Sequence, residues 1–231
     1  MGATRFLFAA LSCAIILGTS ACSSTQPVAN STTVNSPDGL SDAEMEEIFN
    51  ARQVEARSKY IQADVDFMTG MISHHAQALV MAEMAPSHGA NSSIQVLCAR
   101  IINAQNDEIA KMQQWLRIRN ETVPEVHIDG TKLMVHGGGD HAMSMPGMLT
   151  QEQIDELDAS RGTDFDRLFL TYMIQHHKGA ISMVDTMLAI DGSGQDEASF
   201  KLASDIYADQ DTEIKRMQGM LEQYSGSDQN P

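Results

Sequence analysis

Methionine and histidine recur at one spacing in two separate parts of the chain. The first copy reads M-I-S-H-H and the second reads M-I-Q-H-H. Residues at i, i+3 and i+4 of a helix neighbour one another across a turn, so each copy gathers one thioether and two imidazoles. Imidazole with thioether suits copper, whereas imidazole with carboxylate would also suit iron or zinc. The candidate ligands are Met71, His74, His75, Met173, His176 and His177.

The repeat extends well beyond these motifs. Asp64 and Phe67 in the first half align with Asp166 and Phe169 in the second, and Met81 aligns with Met183. Each copy is followed by a second similar run, which begins at Gln105 or at Gln210. Such self-similarity indicates a duplicated structural unit.

Each half of the chain contains two helical runs. Apolar periodicity predicts long helices over about 63–85, 93–119, 163–191 and 195–224. Glu108 and Glu213 fall in the middle of apolar stripes, where a carboxylate is costly unless it is paired, hydrogen-bonded or bound to a metal. They are therefore candidate ligands, or acceptors that orient an imidazole. His74 and His176 are their candidate partners across each hairpin.

These four runs predict an all-α protein, a four-helix bundle built from two repeated αα-hairpins with short accessory helices. No strand pattern is evident, and the glycines and prolines of 121–149 exclude a long regular element there. The bundle domain is expected to span 41–224. It comprises repeat 1 at about 63–119, the Met/His-rich connecting loop 121–149 and repeat 2 at about 163–224, with a disordered tail at 225–231.

Further methionines are candidate ligands. Those on the helical stripes are Met81, Met112, Met183 and Met217, although methionine on a stripe is commonly core filler. The connecting loop has Met-x-Met-x-x-Met spacing, which resembles Cu(I)-capturing segments, because a thioether binds Cu(I) without deprotonation. The alternative is that these side chains simply pack on the bundle. The possible second site comprises His136, His141, Met143, Met145 and Met148.

The amino terminus has the pattern of an export signal. Arg5 precedes an apolar run too short to span a bilayer, and small residues precede Cys22. This pattern predicts a lipoprotein signal over 1–21 with Cys22 lipidated; an ordinary signal peptide cut after Ala21 is the alternative. The polar segment 22–40 should be a flexible linker. We expect the protein in the cell envelope, attached to the membrane only through the lipid.

Composition and absent motifs limit the possible functions. A net charge of −16 makes nucleic acid a poor partner and attracts cations. Outside the predicted signal and Cys22, Cys98 is the only cysteine, so no disulfide framework is expected. The chain lacks the Glu-x-x-His pair of carboxylate-bridged di-iron bundles. We therefore expect a metal-binding protein; a redox enzyme with a His/carboxylate site and a metal-free interaction module are the alternatives.

Three segments resemble one bacterial family. They are D-V-D-F-M-T-G-M-I-S-H-H from Asp64, M-P-G-M from Met145 and F-D-R-L-F-L-T-Y-M-I-Q-H-H from Phe165. Together they resemble family 305 of domains of unknown function (DUF305), a ferritin-like family of exported proteins, over about Asp64 to Leu221. CopM-type proteins, which bind copper through histidine and methionine, are among its members. The resemblance implies a ferritin-like bundle that binds a copper ion, Cu(I) or Cu(II), through the two M-x-x-H-H motifs.

Overall fold

The computed structural model describes residues 40–57, 59–137 and 145–227. Within these residues the chain forms six helices and one pair of strands. They are α1 Asp42–Arg57, α2 Gln62–Glu83, α3 Ser92–Ile118, β1 Glu125–Asp129, β2 Lys132–His136, α4 Gln151–Ala159, α5 Gly162–Leu188 and α6 Glu197–Ser227. The predicted signal 1–21, Cys22 and the linker as far as residue 39 lie outside the described residues.

The short helices α1 and α4 both begin with capping boxes. The Ser41 backbone N–H donates to Glu44 Oε2 at 2.8 Å, and the Glu44 N–H donates to Ser41 Oγ at 3.4 Å. Thr150 and Gln153 make the same reciprocal pair at α4. These bonds satisfy backbone donors that a helix start leaves unpaired, so both sequence signals mark true helix starts.

Four long helices make up the bundle. Helix α2 packs on α3 and α5 packs on α6, which gives the two predicted hairpins. Contacts of α2 with α5, and of α3 with α6, join the hairpins around a common interior. The all-α, four-helix prediction is therefore confirmed. Helix α6 continues to Ser227, beyond the expected end at Tyr224.

Two aspartates at equivalent positions tie each hairpin to the other. Asp64 accepts hydrogen bonds from Gly194 N at 2.9 Å and Ser199 Oγ at 2.6 Å, both in the second hairpin. Asp166 accepts from Asn91 N at 3.2 Å in the first hairpin, and from Tyr224 Oη at 2.7 Å. The two buried carboxylates thus fix the hairpins against each other, beyond the helix-start role that the sequence suggests.

The connecting segment contains a β-hairpin, so the expectation of no strands was wrong. Strands β1 and β2 are antiparallel and pair Val126 with Val135 and Ile128 with Leu133. Gly130, at φ +59°, lies in the turn between them. Alternating apolar residues on either side of an Asp-Gly pair are a hairpin signal in their own right, and the glycine-rich stretch beyond them obscured it.

Helix α2 is covered on nearly every side. It contacts α3, α5 and both strands, and its buried residues run almost continuously from Asp64 to Ala82. A helix with so many buried residues lies largely within the core, and only a few positions of α2, such as Asp66 and Glu83, are exposed. In the described part of the chain, no helix combines the length and the apolar character needed to cross a membrane.

Candidate metal centre

The two histidine pairs meet in the interior of the bundle. All four side chains are buried, with at most 1% of any residue exposed. The rings of His74 on α2 and His176 on α5 lie with their centroids 3.8 Å apart at a tilt of 39°. The two halves of the chain therefore bring their imidazoles into one cluster, which the sequence had left open.

The second histidine of each pair faces its own hairpin partner. His75 Nε2 lies 2.6 Å from Glu108 Oε2 on α3, and His177 Nε2 lies 2.6 Å from Glu213 Oε2 on α6. The prediction that His74 and His176 contact these carboxylates was therefore wrong. Successive residues on a helix are about 100° apart, so when His74 faces α5 its neighbour His75 turns toward α3.

A short segment of the connecting loop holds His74. We call residues 145–149 the strap. The carbonyl of Pro146 accepts a hydrogen bond from His74 Nε2 at 3.0 Å. Gln77 fixes the strap further, since its side chain donates to the Leu149 carbonyl at 3.0 Å and accepts from the Leu149 N–H at 2.8 Å. The sequence marked M-P-G-M as a motif but did not predict that its backbone reaches a histidine.

Glycine makes the strap's close approach possible. A Cβ added to Gly179 of α5 would lie 2.0 Å from the Pro146 oxygen, which no side chain tolerates. Gly147 has φ +79° and would bring its own Cβ to 2.7 Å from the Gln175 carbonyl. Gly179 occupies the repeat position of Gln77. Gln77 in the first half therefore hydrogen-bonds to the strap, whereas Gly179 at the equivalent position of the second half allows the strap backbone to pack directly on α5.

Each of the four rings keeps at least one nitrogen that makes no hydrogen bond with the described residues. A carboxylate or carbonyl accepts, so Nε2 of His74, His75 and His177 carries the hydrogen and Nδ1 carries the lone pair. Within the described residues, none of these three Nδ1 atoms makes a hydrogen bond, and neither nitrogen of His176 makes one. Buried polar atoms are rarely left unpaired, so an imidazole cluster of this kind is suited to binding a metal ion.

Burial keeps the two central rings neutral. Desolvation, followed by the repulsion of His75, lowers the pKa of His74 to about 3. Desolvation and the neighbouring histidines, His74 first, hold the pKa of His176 well below its ordinary 6.5. Neutral imidazole is the form that binds metal, so these rings need not lose a proton at neutral pH.

The carboxylates of the two halves lie at one seam, between α3 and α6. The partial desolvation of Asp209 raises its pKa, and the charges of Glu108 and Glu213 raise it further. Glu108 is 6% exposed and Glu213 is 19% exposed, whereas Asp209 faces solvent. We call Glu108, Asp209 and Glu213 the acidic seam. It extends from the protein surface at Asp209 to the carboxylates that contact His75 and His177.

The stripe methionines divide between two apolar clusters. Met71 and Met112 belong to one, and Met81, Met173 and Met217 to the other; all five are fully buried. Met183 is only partly buried. Burial fits core packing as well as a ligand role, so their part in binding stays a prediction. Cys98 is buried, and burial raises the pKa of its thiol to about 12, which makes it unreactive.

The possible second site is only partly described. His136 is exposed at the end of β2, and Met148 is half-buried in the strap. Met145 packs over Gly70 beside Met183. His141 and Met143 fall outside the described residues. The structure thus places Met145 next to a methionine that the sequence had assigned to the other site.

The donors are not gathered as in a preformed carboxylate or zinc site. In the described part of the chain, no three His, Cys, Asp or Glu side chains lie close enough together to hold a metal ion by themselves. A site at the imidazole cluster would have to add thioether or backbone oxygen donors to the imidazoles, or draw its side chains closer.

The chain belongs to the DUF305 family, a domain of unknown function, whose sequence profile matches residues 64–221. Solved structures of this family share its helical fold. A DUF305 protein of Streptomyces coelicolor is 23% identical with a TM-score of 0.58, covering 71% of this chain and 92% of its own. A DUF305 fragment of Deinococcus radiodurans is 27% identical with the same TM-score, covering 71% and 98%.

A third relative has been solved with copper. CopM in its Cu(I)-bound form is 27% identical to this chain with a TM-score of 0.52, covering 70% of this chain and 96% of its own. Its Cu(II)-bound form gives 28% identity and the same TM-score. No curated protein sequence matches the chain significantly. The family predicted from the motifs is therefore confirmed.

Proposed function

We propose that this protein binds copper in the cell envelope and buffers it or hands it on, without turnover chemistry of its own. The observation behind the proposal is the imidazole cluster shared by α2 and α5, in which five buried ring nitrogens make no hydrogen bond with the part of the chain that the structure describes. A neutral nitrogen lone pair in an apolar interior is favourable only when something binds it. Copper is an ion that imidazole binds well.

The donor set favours copper over harder metals. Met71 and Met173 each precede a histidine pair by one helical turn, so thioethers accompany the imidazoles in both halves. Thioether sulfur selects Cu(I), whereas magnesium, calcium and manganese prefer oxygen ligands. The similarity to CopM, solved with Cu(I) and with Cu(II), supports the same assignment. The acidic seam would attract cations toward His75 and His177.

The envelope location rests on the amino-terminal sequence. The predicted lipoprotein signal would export the chain and attach Cys22 to the membrane. The acidic chain, whose net charge over the full sequence is −16, would then raise the concentration of cations around the anchored protein. Mass spectrometry of the protein from its native host tests this directly: a diacylglyceryl group on Cys22 supports the anchor, and an unmodified amino terminus contradicts it.

The decisive experiment combines elemental analysis with titration. The purified protein is analysed for bound metals and titrated with Cu(I) and with Cu(II), beside a variant with His74, His75, His176 and His177 changed to alanine. We expect the variant to lose high-affinity copper uptake while far-UV circular dichroism shows that it stays helical. Equal uptake by both proteins would contradict the assignment to histidine.

Two half-variants test whether the site is shared. One changes His74 and His75 to alanine, and the other changes His176 and His177. Because His74 and His176 lie in contact, either variant should remove most of the binding. Separate sites would instead leave half of the copper bound in each variant.

A redox enzyme is the second candidate, and the two His–Glu pairs favour it. Carboxylate with imidazole suits iron, and both pairs are close, at 2.6 Å. This candidate predicts iron or manganese in the protein as isolated, together with oxygen consumption on adding a reductant. Copper alone in the protein, without oxidase activity, argues for the binding role.

A further inference from the structure

Two methionine side chains meet outside the histidine cluster, over Gly70 of α2. A Cβ at this glycine would lie 3.0 Å from Met145 Sδ and 3.4 Å from Met183 Cε. The missing side chain therefore leaves a space that the Met145 sulfur and the terminal methyl group of Met183 both border. Both methionines are partly exposed, whereas Met81, the repeat counterpart of Met183, is fully buried.

The duplication shows that this arrangement belongs to one half only. Tyr172 occupies the repeat position of Gly70, and its hydroxyl donates to Glu156. An aromatic side chain leaves no comparable space over α5. The glycine thus distinguishes the two halves at the place where the methionines meet.

The strap fixes the position of Met145. Its neighbour Pro146 lies against Gly179 and accepts the hydrogen bond from His74, and Leu149 is held by both polar atoms of Gln77. A ligand on a fixed backbone loses less conformational entropy when it binds an ion. Met183 lies on helix α5.

An open groove reaches Met183 of this pair. The groove holds about 280 Å³, and its described lining includes Phe67, Pro146, Met183 and Met187, together with the carboxylate of Asp66. Asp66 is exposed. A hydrated cation can therefore approach a carboxylate at the groove before it meets sulfur.

We propose that Met145 and Met183 form a thioether site for Cu(I), separate from the imidazole cluster. Thioethers bind this soft ion without releasing a proton, which suits a partly exposed site. Met145 adjoins Pro146, whose carbonyl contacts His74. The site is therefore placed to pass Cu(I) inward to the imidazoles, a step that rests on the proposed function.

The test uses Ag(I), a redox-inert soft cation, and the methyl resonances of ¹³C-labelled methionine in the purified protein. We expect the Met145 and Met183 methyl signals to shift together on adding one equivalent of Ag(I), and Zn(II) to leave them in place. Single Met→Leu variants assign the two signals. The double variant M145L/M183L, which keeps apolar volume, should bind about one fewer Ag(I).

A glycine pair supplies the matched control. Gly70→Ala puts a methyl group 3.0 Å from the Met145 sulfur while both methionines are kept, whereas the added methyl of Gly219→Ala on α6 meets nothing within 4 Å. Both changes raise helix propensity alike. Gly70→Ala should weaken Ag(I) binding at the pair, and Gly219→Ala should not.

Three results would overturn the site. They are methyl shifts no larger than that of Met220, unchanged Ag(I) stoichiometry in M145L/M183L, or equal binding by the two glycine variants. The fourfold histidine variant separates the two proposals. Coupled Met145 and Met183 shifts that persist in it support the thioether site even if the imidazole assignment fails. Unchanged Cu(II) binding by M145L/M183L would leave the imidazole assignment standing.

Discussion

Replacing Glu108 by glutamine tests how the imidazole cluster is oriented. The carboxylate accepts from His75 Nε2 at 2.6 Å, and only 6% of the side chain is exposed. This bond fixes the ring so that Nδ1 keeps its lone pair, and the negative charge makes that nitrogen more basic. Glutamine keeps the size and one acceptor oxygen but removes the charge.

The expected effect follows from the role of such acceptors. Loss of a carboxylate behind a metal-binding histidine weakens metal affinity by about 10–100-fold, or about 1.4–2.8 kcal/mol. Since Glu108 is nearly buried and Glu213 is 19% exposed, we expect Glu108→Gln near the upper end and Glu213→Gln near the lower. The weaker screening of a buried charge is the reason for the difference.

The assay is competition for Cu(I) against a chromogenic chelator, followed by the same titration with Cu(II). Glu222→Gln is the matched control, because Glu222 is exposed on α6 and its replacement changes the net charge equally. Circular dichroism verifies that each variant is folded. If folded Glu108→Gln binds copper as tightly as Glu222→Gln, the orienting role of Glu108 is refuted.

Three further predictions concern stability without copper. The pKa of His74 is 6.5 in the unfolded chain and about 3 in the folded protein, so only the unfolded chain takes up this proton as the pH falls. The full contribution of neutral His74 to the free energy of unfolding is present above pH 6.5, and this free energy should drop by about 2 kcal/mol by pH 5. Denaturant titrations at each pH measure the drop, which should be smaller in His74→Gln. Gly179→Ala drives a methyl group into the Pro146 carbonyl and should lower the free energy of unfolding by on the order of 1–3 kcal/mol, measured by urea titration. Gly219→Ala is the control, because its added methyl group meets no neighbour. An unchanged urea midpoint in Gly179→Ala would mean that the strap does not need this close approach. Asp64→Asn removes one acceptor from a buried set of three hydrogen bonds and should lower the free energy of unfolding by about 1–3 kcal/mol. Asp66→Asn, at an exposed position of the same turn, should change it little. Equal melting temperatures of the two variants would contradict the role of Asp64 in joining the hairpins.

The bundle was predictable because its evidence is local and repeated. The second-helix stripe through Ile94, Cys98, Gln105, Glu108 and Met112 is buried as the 3.6-residue period requires. Because the unit is duplicated, each helix of the bundle was predicted from two similar sequences. Capping residues such as Ser41 and Thr150 marked two helix starts correctly.

The errors arose where one local signal hid another. Glycine and proline around 121–149 suggested an irregular connection, and the alternating residues beside Asp129 and Gly130 were overlooked. The hairpin that they form covers α2 and helps to bury its outer side. Recognising an Asp-Gly pair between alternating apolar runs would have found it from sequence alone.

The sequence alone determined which side chains share a helix face, and so placed imidazole, thioether and carboxylate groups toward the interior of a duplicated bundle. Only the tertiary structure decided which of them meet: His74 with His176, His75 with Glu108, and Pro146 with His74. The physical reason is that a face follows from the period of one helix. A contact between two helices depends on their relative rotation and axial offset, which packing across the whole core sets.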